Sequence, residues 1–144
     1  MADKGIERRL CQRFKIPGAT ASYRRERFLS TQVGFNEEFC PVLDISRGGV
    51  RFLTQKALKY KSRVTLQISI PGERVPLNLK GRVRWSSFNP GKSYKYQAGV
   101  QFNPYGEEKN QNYPGSLVKI IALEQKFIEP GNDEGSGKTS EFSI

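Results

Sequence analysis

A two-residue alternation repeated through the middle of the chain restricts the fold more than any other feature. Val64, Leu66, Ile68 and Ile70 alternate with Thr65, Gln67 and Ser69, so an extended segment has one apolar and one polar face. Pro71-Gly72 ends it. Val75, Leu77 and Leu79 open the next segment, and the same parity runs through Gly81, Val83 and Trp85 with Arg82 and Arg84 opposite. A glycine inside a strand marks a bend or bulge, here expected at Gly81. After the turn Asn89-Pro90-Gly91, residues Tyr94, Tyr96, Ala98, Val100 and Phe102 share a face against Lys95, Gln97, Gly99 and Gln101. Ala19–Phe28, Glu38–Ile45 and Val50–Thr54 complete a set of six strands. Short strands at close intervals predict an all-β antiparallel barrel or sandwich.

One helix follows. Ser116 is the expected N-cap, with Pro114-Gly115 ahead of it. Leu117, Ile120, Ile121, Glu124 and Ile128 keep helical spacing, Val118 and Phe127 flank them, and Glu129-Pro130-Gly131 is the stop. The apolar stripe is expected to cover an open end of the barrel, since amphipathic helices usually face their own core.

The 144 residues amount to one domain. There is no histidine, which excludes histidine triads, histidine general bases and histidine metal ligands. Cys11 and Cys40 give no CxxC and no four-ligand zinc set, and form at most one bridge. No apolar run approaches the ~20 residues of a membrane span, and the first residues lack the apolar stretch of a secretory signal. The expectation is a cytoplasmic protein with reduced thiols.

The net charge of +10 favours an anionic partner, and it is unevenly placed. Residues 1–27 carry eight Lys/Arg against three acids, while residues 129–144 carry four acids and one lysine. These shifts predict a mobile N-terminal arm over residues 1–18, a barrel with its helix over 19–128, and a disordered tail over 129–144.

Two segments carry candidate chemistry. Arg9 and Arg13 stand four apart in Glu7-Arg8-Arg9-Leu10-Cys11-Gln12-Arg13-Phe14. Two guanidinium groups at that spacing suit phosphate oxygens or the O6/N7 edge of guanine, and a solvated basic arm has the same composition. The second segment is Asp44-Ile45-Ser46-Arg47-Gly48-Gly49-Val50. It reads as a strand–turn–strand. It also reads as a ligand edge, with Asp44 accepting from the N–H edge of a base, Ser46 on the same face, and Gly49 admitting a planar group close to the backbone.

Together and in this order, RxxxR (Arg9 to Arg13) and DxSxxG (Asp44 to Gly49) resemble the PilZ domain family. RFKIPGA (Arg13 to Ala19), GRVRW (Gly81 to Trp85) and YQAGVQF (Tyr96 to Phe102) add to the likeness, which spans roughly residues 7–128. The resemblance implies a six-stranded antiparallel β-barrel with a C-terminal helix that binds cyclic di-GMP and needs no cofactor. It assigns phosphate and guanine contacts to Arg9 and Arg13, and a guanine on the barrel to Asp44, Ser46 and Gly49, with Arg8 as a further contact. In that family the residue before RxxxR influences whether one or two dinucleotides bind; here it is Arg8, whose added cation and stacking surface suit the larger charge of a stacked pair, so two ligands per chain are expected. Ordering of the arm would pass the signal to a downstream protein. The alternatives are a basic barrel for RNA or single-stranded DNA, a PilZ adaptor that binds no nucleotide, and catalysis by Cys11 among its cations. Nucleic acid ranks lower because the basic density peaks before the first strand. No enzyme is expected, because the chain has no histidine, no metal set and no GxxxxGK[ST].

Overall fold

The computed structural model describes residues 12–26, 34–90 and 92–128. Among them are six strands, β1 (Thr20–Arg25), β2 (Glu37–Ser46), β3 (Gly49–Thr54), β4 (Arg63–Ser69), β5 (Leu77–Phe88) and β6 (Tyr96–Phe102), and one helix, α1 (Pro114–Phe127). The strands close into an antiparallel barrel in the order β1-β2-β3-β6-β5-β4. The alternation decides which side chains fill it. Val64, Leu66 and Ile68 of β4 and Leu77, Leu79 and Val83 of β5 point inward, with Tyr23, Ile45, Val50, Phe52, Ala98 and Val100 from the other strands. Each fully buried aliphatic contributes about 1.5–3 kcal/mol.

Closing a sheet of six strands takes local curvature, and bulges supply it. Register shifts occur between Ala21 and Tyr23 on β1, between Val42 and Asp44 on β2, and between Val83 and Trp85 on β5. Phe39, beside the first shift, has φ of 57° and is exposed. The bulge on β5 therefore falls at Arg84, not at the expected Gly81. It adds one residue and reverses the parity, so Trp85 leaves the inward face assigned to it and stands on the barrel exterior, 37% exposed. Gly81 serves a different need: a Cβ there would lie 2.4 Å from the carbonyl oxygen of Gln101. Val75 precedes β5 and is exposed.

The helix begins earlier than Ser116. Tyr113 is the N-cap, without a side-chain capping bond, and Pro114 opens the first turn. Proline suits that place because its φ is already helical and its missing N–H would have had no helical partner. Ser116 is buried inside the first turn and its N–H donates to the carbonyl of Tyr113 (2.9 Å). Ile120 and Leu123 enter the core, as expected for a helix that faces its own barrel. Glu124 accepts from Arg47 Nε (2.8 Å), and the Tyr105 hydroxyl donates to the Arg47 carbonyl (2.7 Å). The first bond ties the helix, and the second the segment between β6 and α1, to the β2–β3 turn. α1 is too short to cross a membrane, and among the described residues no helix is long and apolar enough to do so.

The expected arm of residues 1–18 is shorter where it can be seen. Phe14 and Ile16 are buried in the core, and Phe14 exchanges two backbone hydrogen bonds with Ile45 of β2 (2.9 Å each). The alternation Phe14-Lys15-Ile16 seats two apolar side chains and leaves the lysine outside. Residues 1–11 and the expected tail of 129–144 lie outside the described residues.

Candidate functional site

The β2–β3 hairpin sets the geometry. Its two-residue turn, Arg47-Gly48, pairs Ser46 with Gly49, Ile45 with Val50 and Asp44 with Arg51. Ile45 points into the barrel, so Asp44 and Ser46 share the outer face. The Ser46 Oγ accepts from the Gly48 N–H at 3.2 Å and holds the turn.

Asp44 is the electrostatic centre. Its Oδ1 accepts from Arg13 Nη1 (2.9 Å) and Arg51 Nε (3.1 Å), and its Oδ2 accepts from Arg51 Nε (3.0 Å) and Nη2 (2.5 Å). A carboxylate has about four acceptor sites, and two guanidinium groups take them all. Burial alone would raise the Asp44 pKa. The bonds and charges of Arg51 and Arg13 outweigh it and hold the carboxyl below its ordinary value. The sequence reading gives Asp44 the N–H edge of a base; in this arrangement both its oxygens accept from arginines instead. Asp44 fixes Arg13, whose side chain stays about half exposed (49%) and keeps donors for another acceptor.

Of the six residues singled out in the sequence, Arg13, Asp44, Ser46 and Gly49 come together here, across 31 residues of chain between Arg13 and Asp44. Arg8 and Arg9 lie outside the described residues. Arg13, Ser46 and Gly49 line a cleft of about 290 Å³ whose other wall is Arg84, Trp85, Gly99 and Gln101. The indole of Trp85 lies against Gly99, where a Cβ would come within 2.4 Å of its ring. Arg84 Nη1 donates to Gln101 Oε1. Gly49 has a role the sequence reading did not give it: its missing Cβ leaves room for the β6 backbone, with the Val100 carbonyl oxygen 2.5 Å from where that atom would be. A second cleft of about 520 Å³ lies on the other side of Arg13, between Lys15, Pro17 and the end of α1 at Phe127 and Ile128.

Sequence reasoning missed Arg51 and Trp85. Arg51 was within reach, since a two-residue turn at Arg47-Gly48 places it opposite Asp44. Trp85 was not, because the single-residue bulge that turns it outward leaves no mark on the alternation. The remaining reactive candidate, Cys11, lies outside the described residues. Cys40 is buried, and burial and then Glu37 push its thiol up to about 12. Among the described residues no group of acidic or cysteine side chains is arranged to hold a metal ion.

No curated protein matches the sequence. Among solved structures, the chain is similar to that of the Bacillus subtilis inhibitor of motility (MotI/DgrA), with a TM-score of 0.52 and 17% identity. The likeness covers 83% of this chain and 52% of that one, so the chain spans about half the length of this structural neighbour. At that identity the likeness concerns the fold alone. The family model for the PilZ domain matches residues 7–113, which hold both RxxxR and DxSxxG on a closed six-stranded barrel, and the chain belongs to the PilZ domain family.

Proposed function

We propose that the protein is a receptor for cyclic di-GMP that acts without catalysis, in the cytoplasm, by presenting a changed surface to a downstream protein. One observation carries the reading: Arg13 of the first motif and Ser46 and Gly49 of the second line one cleft beside an exposed tryptophan. Arg13, steered by Asp44, offers donors to a phosphate or to guanine O6 and N7. Trp85 offers an aromatic surface to a base. The cleft's volume is at the low end for small-molecule sites, about 300–1,000 Å³, so it suits part of a dinucleotide. Arg8 and Arg9 would complete the enclosure. Ordering of that segment around the dianion would supply the signal.

Isothermal titration tests this. Cyclic di-GMP is expected to bind at micromolar concentration or below, and cyclic di-AMP and GMP much more weakly, because adenine presents an N6 donor where guanine presents an acceptor. Arg9→Ala and Arg13→Ala are each expected to cost about 1.5–3 kcal/mol of binding. The expected stoichiometry is two ligands per chain, falling toward one in Arg8→Leu. Equal affinity for the two cyclic dinucleotides, or unchanged affinity in both arginine variants, would refute the assignment.

A further inference from the structure

A second charged cleft lies away from both motifs, on the outer face of β4, β5 and β6. Its volume is about 460 Å³, and its cations are Arg63, Lys80, Arg82 and Lys109. Arg63 and Arg82 stand directly opposite each other in the β4–β5 ladder, and Arg82 stands opposite Gln101 in the β5–β6 ladder. Like charges in directly paired positions destabilise a sheet. Among the described residues none of these four cations forms an ion pair. The one carboxylate in the lining, Glu26, accepts from the Thr65 hydroxyl (2.8 Å). The arrangement thus carries uncompensated positive charge in a concave surface, which an anion would relieve.

The other polar groups indicate which anion. Gln101, Asn103, Asn110 and Gln111 bring four carboxamides to the same cleft. Asn103 Nδ2 donates to the Asn110 carbonyl, and Gln111 Oε1 accepts from the Glu108 N–H. Among the described residues the Asn103 oxygen and the Gln111 nitrogen take no hydrogen bond, so the lining holds a spare acceptor and a spare donor, which suit the C=O and N–H groups of an extended peptide. A single-stranded nucleic acid would need exposed aromatic surfaces on which bases stack. The only aromatic side chain in this lining is Phe102, and it is buried in the core.

We propose that this cleft is a docking site for an acidic peptide segment of a partner protein. It is distinct from the cleft beside Trp85, with which it shares only Gln101. The proposal does not depend on cyclic di-GMP binding.

The test uses the full chain and a short fluorescein-labelled peptide of glutamates and serines, followed by polarisation at low salt. The double variant Arg63→Gln/Arg82→Gln is expected to weaken peptide binding by about ten-fold, as loss of two solvent-screened ion pairs implies. The charge-matched variant Arg74→Gln/Lys92→Gln, at exposed positions outside the cleft, is expected to stay within about two-fold of the unmodified protein. Peptide-induced NMR shifts should cluster at Gln101, Asn103 and Lys109. Thermal unfolding guards against a folding artefact: relieving the opposed arginines should leave the first variant at least as stable as the parent. Equal losses in the two variants would reduce the effect to bulk charge and overturn the proposal. So would tighter binding of a labelled oligo(dT) at the same amides, or no peptide binding at low salt.

Discussion

Gly49 is the sixth position of DxSxxG, and its substitution separates two explanations of why a glycine stands there. Gly49 pairs with Ser46 on β2 and with Gln101 on β6. A Cβ added to it would lie 2.5 Å from the Val100 carbonyl oxygen, against the 3.4 Å at which ordinary contact begins, so the strands would have to part by about 0.9 Å. The obstructing atom is backbone and has no rotamer to escape into. Overpacking of this kind costs about 1–3 kcal/mol. For a domain near 100 residues, that lowers the melting temperature by roughly 5–20 °C. Gly49→Ala is therefore expected to be destabilised without ligand, seen in thermal circular dichroism and in a urea midpoint that falls at unchanged slope. Ser46→Ala is the neighbouring control: it loses one hydrogen bond of the turn and is expected to cost about 0.5–1.5 kcal/mol. If Gly49→Ala melted within about 1 °C of the parent yet lost affinity, the steric argument would be wrong, and the glycine would serve ligand access alone.

Three further outcomes are expected. Asp44 has a lowered pKa, so its contribution is full above the unfolded value of about 3.9 and is lost as pH falls through the lower folded value. Asp44→Asn should thus trail the parent by about 1–2 kcal/mol at neutral pH, a figure discounted for the exposure of both guanidinium groups, and the two should converge in acid unfolding. Trp85 is the chain's one tryptophan, so its emission reports the cleft directly. Cyclic di-GMP should change that emission, Gly99→Ala should shift it by pushing the indole off β6, and silence in both experiments would remove Trp85 from the site. Phe14→Ala should cost about 3–5 kcal/mol in chemical denaturation, whereas an unchanged midpoint would mean that the segment before β1 is not part of the core.

The barrel was legible because most strands bury one face without interruption. Val64, Leu66 and Ile68 need nothing beyond alternation to be placed. Errors arose where one residue breaks the count or where a local signal competes with a tertiary one. Arg84 is inserted opposite an unbroken β6, which reverses every later side chain of β5, and no local residue type announces it. Ser116 is a good capping residue in isolation, yet Pro114 can begin the helix two residues earlier and the barrel buries the serine. Phe14 and Ile16 sit in so basic a stretch that charge masked their alternation. Of the site, the motif spacing was readable. The saturation of Asp44 by two arginines was not, because it depends on Phe14 pairing with Ile45, a contact between segments far apart in the chain.

The closure of the sheet also bears on how such a protein changes over time. Among the described residues each of the six strands has a hydrogen-bonded neighbour on either side over at least part of its length, so no described strand presents a wholly unpaired backbone edge to another chain. Closure of this kind disfavours recruitment by strand addition and runaway stacking of copies edge to edge. Recognition must then be written in outward side chains, which contribute little to folding. Exterior positions such as Arg63, Arg82 and Lys109 can be exchanged while Leu66, Phe52 and Val83 hold the architecture. A scaffold of this kind can acquire new associates by surface substitution alone, at little risk to its own integrity.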